Sequence, residues 1–352
     1  MTINIPSTIQ KYELEQLPFP VEDVAFVDLD QEPFLKELRL YVTERCNFNC
    51  SFPCGTPWCH ERSELKDKVP IDGSLEDFTR LAELFHDGWG FTQVKIAGME
   101  PTLWKDLVPL VSAFKDLGYK DISLTSNAYH LAGQLADLVA AGLDRLTISL
   151  HSLDPAKFRT ISVNGRLERI LRSLSLVKDF ALPTKLNHVL IKGFTDDVTD
   201  FLQYSHSNGF EPKLYQLIWH PGISLVYHKY FISPVKVLTN QDLEFSRVEI
   251  RDFPLVQRTR YKYFTSEGLP ITFGSFTKKK TSPYPLCQHC HHRFQCQEGF
   301  MGYGYSVTPK LELAPCYLRD ELNFSLQPFL DHTPIQELPE RIERIGGGDT
   351  TP

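Results

Sequence analysis

Eight cysteines in this 352-residue chain fall into two tight groups. Cys46, Cys50, Cys54 and Cys59 share one short stretch, and Cys287, Cys290, Cys296 and Cys316 lie toward the C-terminal end. The long segment between them has none. Thiols serving as small core hydrophobes would scatter over strands and helices, so the grouping points to ligand sets. The N-terminus carries no basic segment leading into an apolar stretch, and no apolar run is long enough to span a bilayer. The expectation is therefore a cytoplasmic protein with reduced thiols, which disfavours disulfides. Structural zinc and iron–sulfur remain. Cys287-x2-Cys290 suits either. Zinc ligands come as close pairs on two separate turns, the second pair about 12–20 residues away. Here a single loop carries Cys46-x3-Cys50, then Cys54 and Cys59, a spacing that favours iron–sulfur.

Such loops need a regular frame. Leu38–Thr43 reads as a strand that runs into the first cysteines. Ser74-Leu75-Glu76-Asp77 is a capping box with Asp in place of Glu, opening a helix whose apolar residues Leu75, Phe78, Leu81, Leu84 and Phe85 recur at helical spacing. Strands then alternate with helices: Gln93–Ala97, a helix from Lys105 to Leu117, Asp121–Thr125, a helix over Leu131–Ala141, and Arg145–Leu150. Helices over Pro155–Ile161 and Leu167–Phe180, the strand Lys185–Leu190, a helix over Thr195–Asn208 and the strand Lys213–Ile218 complete the series. Six strand–helix units imply a parallel sheet with right-handed crossovers, and ligands at the C-terminal ends of the strands. The predicted fold is α/β, a partial (β/α)6 TIM-type barrel over residues 35–225. An N-terminal extension covers 1–34, a smaller irregular cluster-binding domain 226–335, and a flexible tail 336–352.

The bulk numbers agree with an ordinary globular protein of 42% hydrophobic and 23% charged residues. The net charge of −7 leaves no basic surplus for a sequence-independent grip on nucleic acid. Lys278-Lys279-Lys280 is the one basic block and reads as a solvated loop.

The segment Leu40-Tyr41-Val42-Thr43-Glu44-Arg45-Cys46-Asn47-Phe48-Asn49-Cys50 resembles the cluster-binding opening of radical S-adenosylmethionine (SAM) enzymes. The resemblance is closest to the GTP 3′,8-cyclase branch and runs from about residue 36 to residue 346 over the partial-barrel pattern. It implies two 4Fe–4S clusters, SAM as cofactor, and a 5′-deoxyadenosyl radical that abstracts a hydrogen atom. The family's third cysteine falls at Pro53 here, which leaves Cys54 and Cys59 as candidates. Cys59 is preferred, because Trp58 stands directly before it and can offer a face to adenine. Ala97-Gly98-Met99-Glu100-Pro101 resembles the family's Gly-Gly-Glu-Pro motif, with Met99 in place of a glycine, and implies that Gly98 and Glu100 hold the SAM amino group. By the same resemblance Ser126, Ser149, Arg166 and Asn187 contact SAM. Cys287, Cys290, Cys296 and Cys316 resemble an auxiliary-cluster domain of the SPASM or twitch type. The cyclases use three cysteines there and follow the second with arginines, whereas this chain adds Cys296 and has His291-His292-Arg293. The implied substrate is a nucleotide, a nucleoside or another small metabolite. A peptide-modifying enzyme is the second reading, and a non-catalytic zinc protein the third. A reductant such as flavodoxin or ferredoxin is the implied partner, with no nucleic acid and no membrane. His151, Tyr215 and His220 are candidate substrate contacts at the same mouth.

Overall fold

The computed structural model describes residues 17–26, 37–50, 69–253, 258–276, 284–302 and 304–348. Its centre is a run of six parallel strands in sequence order: β2 (Glu37–Tyr41), β3 (Gln93–Ala97), β4 (Asp121–Ser126), β5 (Arg145–Ser149), β6 (Thr184–Leu190) and β7 (Glu211–Gln216). Successive strands are linked by α1 (Leu75–Trp89), α2 (Leu107–Asp116), α3 (Leu135–Ala140), the pair α4 (Pro155–Ser162) and α5 (Leu167–Asp179), and α6 (Thr199–Ser207). The sheet is open and its edges are uncrossed, so the architecture is the expected partial barrel.

Side chains alternate between the two faces of a strand. One face carries Leu38, Leu40, Val94, Ile96, Ile122, Leu124, Leu146, Ile148, Leu186 and Leu214, all buried. It packs under Phe78, Leu81 and Phe85 of α1, Leu110, Val111 and Phe114 of α2, and Ile170, Leu174 and Val177 of α5. The other face is polar: Arg39, Lys95, Ser123, Thr125, Thr147, Asn187, Lys213 and Tyr215. A parallel sheet covered on both faces would be apolar on both. On a flat sheet β3 and β7 would lie about 19 Å apart. Yet Lys95 on β3 feels the charges of Lys213 and Tyr215 on β7. The sheet is curled, and the polar face is its inside.

The capped helix start read at Ser74 holds. Ser74 caps α1 by accepting from the Asp77 amide at 3.2 Å, and Gly90 ends the helix in the left-handed conformation at φ 68°. Three elements differ from expectation. The helix expected over 131–141 starts as a short 3-10 turn, with α3 proper beginning at Leu135. The helix expected from Thr195 begins at Thr199, because the Thr195 hydroxyl instead bonds the Ile191 amide and the Val189 carbonyl. Residues 338–346, placed in a flexible tail, form α11 (Leu338–Gly346), with Leu338, Ile342 and Ile345 buried at helical spacing.

The region after β7 joins the same sheet at both ends. It begins with α7 (Ser224–Tyr230) and α8 (Pro234–Thr239). Strands β8 (Phe245–Phe253), β9 (Arg258–Thr265) and β10 (Pro270–Phe276) form an antiparallel meander, and β10 pairs in parallel with β7. This stretch was expected to be irregular. It is regular because Val248 and Ile250, Tyr263, and Ile271 and Phe273 alternate with polar residues and bury one face. β1 (Asp23–Phe26) lines the far side of β8. At the opposite edge β11 (Tyr305–Val307) pairs in parallel with β2, followed by β12 (Glu312–Leu313) and β13 (Phe324–Ser325). Between these edges run α9 (Pro285–Gln288) and, after β13, α10 (Gln327–Asp331). Among the described residues no helix is long and apolar enough to cross a membrane.

Gly346 shows how tightly the last helix seats. A Cβ built there would lie 2.6 Å from Tyr284 and 3.1 Å from Phe300. Gly346→Val should therefore cost about 2 kcal/mol, the usual range for overpacking, and lower the midpoint in thermal denaturation. Gly133→Ala, whose added methyl meets nothing within 4 Å, should not lower it.

Candidate active site at the strand ends

The first cysteines leave β2 through a junction of three chain segments. Residues 43–45 bond back to the segment entering α1: Thr43 bridges Asp72, the Glu44 amide donates to Ile71 O at 2.9 Å, and the Gly73 amide donates to Val42 O at 2.9 Å. They also bond forward to the turn after β3. The Met99 amide donates to Thr43 O at 3.1 Å, and the Glu100 amide to Arg45 O at 2.8 Å. Gly98 allows that approach. Its φ of 152° is a conformation L side chains rarely adopt, and a Cβ would sit 3.1 Å from Thr43 O.

Cys46 and Cys50 follow, both partly buried and in no disulfide among the described residues. The Cys46 sulfur accepts from the Phe48 amide at 3.4 Å and from Asn127 Nδ2 at 3.9 Å. Phe48 wedges edge-on between Tyr129 and Phe158, and the Asn49 amide donates to Ser162 O at 3.2 Å. Cys54, Trp58 and Cys59 lie outside the described residues.

Glu100 is wholly buried, and every bond it makes is within the chain. One oxygen accepts from the Thr102 amide (3.1 Å), the Thr102 hydroxyl (2.6 Å) and the Ser126 hydroxyl (2.7 Å); the other accepts from the Asn127 amide at 2.6 Å. Burial pushes its pKa up, and the donated hydrogen bonds oppose that. Glu100 thus ties the turn after β3 to the end of β4. Ser126 also accepts from the Ala128 amide, so its hydroxyl is occupied on both sides.

Ser149 and Asn187 are direct neighbours across β5 and β6. Arg166 is exposed at the start of α5, beside Gly165, whose amide donates to the Ser162 hydroxyl. Asn187 Oδ1, Thr125 Oγ1 and Asn47 Nδ2 are buried without a hydrogen-bond partner among the described residues. A buried polar atom left unpaired costs about 1–3 kcal/mol. Donor and acceptor atoms of this kind at adjoining strand ends fit a ligand that carries ammonium, carboxylate and hydroxyl groups together, as SAM does.

The second cysteine set lies over the same mouth. Cys287 sits on α9, and the Cys290 amide donates to Cys287 O. The Cys290 sulfur accepts from the His292 amide at 3.4 Å, and the Cys296 sulfur from the Gly299 amide at 3.3 Å. Cys316 bridges Phe300. Burial pushes the Cys316 thiol up to about 12, and charge on Cys296, Cys287 and Cys290 adds to the rise, so the four sulfurs lie within electrostatic reach of one another. Among the described residues no three ligating side chains are drawn together as a single ion would need. Amide donors on the sulfurs suit cluster ligation, where they tune the potential. Gln297 accepts from the Trp219 amide after β7 at 2.9 Å, and the charge of Glu298 reaches Tyr41 at the end of β2.

Inside the barrel, burial and the charges of Arg39 and Lys213 pull the Lys95 pKa down to about 7. Burial raises Glu37, but Arg39, Lys95 and Arg145 outweigh it and hold the carboxyl at about 2. Sequence reasoning missed Arg39, Lys95, Lys213 and Asn127. The signal was present as charge at every second residue of parallel strands, in Glu37-Leu38-Arg39 and Glu211-Pro212-Lys213. His151 is buried, burial and then His188 lower its pKa to about 3, and its ring accepts from the Val189 amide. The His220 ring accepts from the Gly222 amide.

A curled α/β barrel with cysteines leaving its first central strand and a polar, ligand-ready interior defines a cofactor-dependent enzyme. Residues 40–204 match the family model described as the Radical SAM superfamily. A "Probable GTP 3′,8-cyclase" of Sulfolobus acidocaldarius is 32% identical over 235 residues, covering 65% of this chain and 70% of that protein. Another, from Saccharolobus islandicus, is 34% identical over 188 residues, covering 53% of this chain and 58% of that protein. Among solved structures, SuiB of Streptococcus suis bound to S-adenosylmethionine is 13% identical, with a TM-score of 0.47, covering 77% of this chain and 74% of that one. The chain belongs to the radical SAM superfamily. It is an enzyme whose family works with SAM and a 4Fe–4S cluster.

Glu100→Gln should destabilise the protein by about 1–3 kcal/mol, because every partner of the carboxylate is positioned as a donor and an amide NH2 would face one of them. Urea unfolding measures the loss, and calorimetry should show weaker SAM binding in the same variant.

Proposed function

We propose that this enzyme abstracts a hydrogen atom from an anionic small molecule, in the first instance a nucleotide such as GTP, and that Cys287, Cys290, Cys296 and Cys316 hold a second 4Fe–4S cluster of the SPASM or twitch type. The observation that carries the substrate class is the cluster of Arg39, Lys95 and Lys213 on the inner face, with Glu37 as the acidic group among them. Arg39, Lys95 and Lys213 outnumber Glu37, which pairs with Arg39 at 3.1 Å, and an excess of positive charge in a partly desolvated interior favours an anion. The curated relatives named GTP 3′,8-cyclase support the same direction.

SAM and its cluster supply a 5′-deoxyadenosyl radical when bound and reduced, by an electron from a flavodoxin- or ferredoxin-type donor in the cytoplasm. The chain positions and shields. Cys46 and Cys50, with Cys59 as the preferred third ligand and Trp58 beside it, hold the first cluster. Gly98 and the backbone around it, Asn187, Ser149 and Arg166 face SAM, with Glu100 and Ser126 bracing the turn. Arg39, Lys95 and Lys213 draw the anionic end of the substrate down the barrel, which leaves its other end at the mouth beneath the second cysteine set.

The four-cysteine set favours one other reading. Four thiolates leave no iron open to a substrate base, an arrangement that suits a peptide-modifying enzyme. Anaerobic turnover of cluster-reconstituted protein with SAM and a strong reductant decides. GTP-dependent 5′-deoxyadenosine and an altered guanosine product establish the cyclase; 5′-deoxyadenosine formed at the same rate without GTP excludes it.

Two further outcomes are expected. Reconstituted protein should hold about eight irons, as two 4Fe–4S clusters require, and Cys296→Ala should lower that count; an unchanged count would mean that Cys296 is not a ligand. Lys95 is charged below about pH 7 and neutral above it. Affinity for an anionic nucleotide should therefore fall as pH rises through 7, and Lys95→Met should flatten that profile.

A further inference from the structure

We infer that Asp72 is a positioning residue for SAM binding: it acts through Thr43 and Arg45 to set the first cluster-ligand loop against the turn at Gly98–Glu100. The inference rests on the reading that SAM lies at these strand ends. Asp72 itself stands on the segment entering α1, 26 residues beyond Cys46.

Both of its oxygens are used. One accepts the Thr43 hydroxyl at 2.6 Å, and the other pairs with the Arg45 guanidinium at 2.7 Å. Thr43 is buried, and its hydroxyl oxygen also accepts from the Arg45 amide at 3.0 Å. A hydroxyl has one proton to donate, and Asp72 takes it, so the lone pair is left for the Arg45 amide. Asp72 therefore holds residue 45 from its backbone side through Thr43 and from its side chain directly.

What is held matters because of the carbonyls. Thr43 O and Arg45 O receive the Met99 and Glu100 amides, and Cys46 is the next residue in the chain. A rotation of the 43–45 backbone would move the first ligand and loosen both bonds to the turn in one motion. Near-attack geometry is sensitive at the level of one ångström. A charge-assisted pair at 2.7 Å, half shielded from water, is a stiff way to suppress that rotation.

Simple closure of the loop base makes a different prediction. Glu44 also closes that base, by accepting from the Ile71 amide at 3.0 Å through its side chain, but that carboxylate has no bond to residues 98–100. Glu44→Ala therefore serves as the structural control.

The test measures SAM affinity per reconstituted cluster and the change SAM induces in the electron paramagnetic resonance signal of the reduced cluster, beside iron content and thermal midpoint. Asp72→Asn keeps an acceptor for Thr43 and loses the ion pair. It should weaken SAM binding about tenfold, the scale of a lost outer-sphere partner, blunt the SAM-induced spectral change, and keep parental iron. Arg45→Gln, at a half-exposed side chain that leaves the Thr43–Asp72 bond intact, should act in the same direction and carries the test where Asp72→Asn does not fold. Glu44→Ala should bind SAM as the parent does. Parental affinity per cluster in Asp72→Asn, or an equal loss in Glu44→Ala, overturns the inference while leaving the proposed function intact. A parent whose cluster signal does not respond to SAM overturns both.

Discussion

The rest of the site depends on one backbone junction, where Thr43 and Arg45 offer their carbonyls to the Met99 and Glu100 amides. Parallel strands place their C-terminal ends side by side, but they do not fix the loops that leave them. Here the loop after β2 and the turn after β3 are bonded directly, and Gly98 is the residue that lets the two backbones meet. Glu100 extends the same bonding to β4 through Ser126 and Asn127, and Asn127 reaches back to Asn47 and Cys46. Three strand ends therefore move as one unit. The Glu100 carboxylate is hydrogen-bonded through both oxygens within this frame.

Beneath that frame the sheet obeys two demands. Its outer face must bury leucine, isoleucine and valine under helices, which supplies most of the folding energy. Its inner face is released from that demand because the sheet curls, and Arg39, Lys95, Lys213, Thr125, Thr147 and Asn187 occupy it. The proximity of Lys95 to Lys213 follows from curvature alone, since three strands lie between β3 and β7 in the sheet. Like charges at that spacing weaken the barrel interior, and the Glu37 carboxylate offsets part of that cost.

The region after β7 encloses the mouth from both sides. The meander extends the sheet beyond β7, while β11 to β13 extend it beyond β2, so the second cysteine set is suspended between two edges of one sheet. Tyr284 and Phe300, which flank that set, are clamped by the close approach of Gly346 on α11. A glycine near the C-terminus that reads as flexibility is a packing residue, chosen because two aromatic rings leave no room for a Cβ.

Spacing alone determined several things about this protein. The grouping of the cysteines, the alternation of strands and helices and the capped helix at Ser74 are local patterns that the described residues bear out in outline, while the turn at Gly98 was implied by the family resemblance. Period two within a strand reveals that one face is polar. It does not reveal that this face is concave, nor that Lys95 meets Lys213. The resemblance to the Gly-Gly-Glu-Pro motif implies a ligand role for Glu100, but sequence does not show its partners Ser126 and Asn127, which come from the next strand. Thr43 and Asp72, Tyr41 and Glu298, and Gly346 and Tyr284 are likewise pairs from distant segments. Tertiary structure decided these, because they depend on how far the sheet curls and on which loops its curvature brings together, and no short stretch of sequence encodes a distance across the barrel.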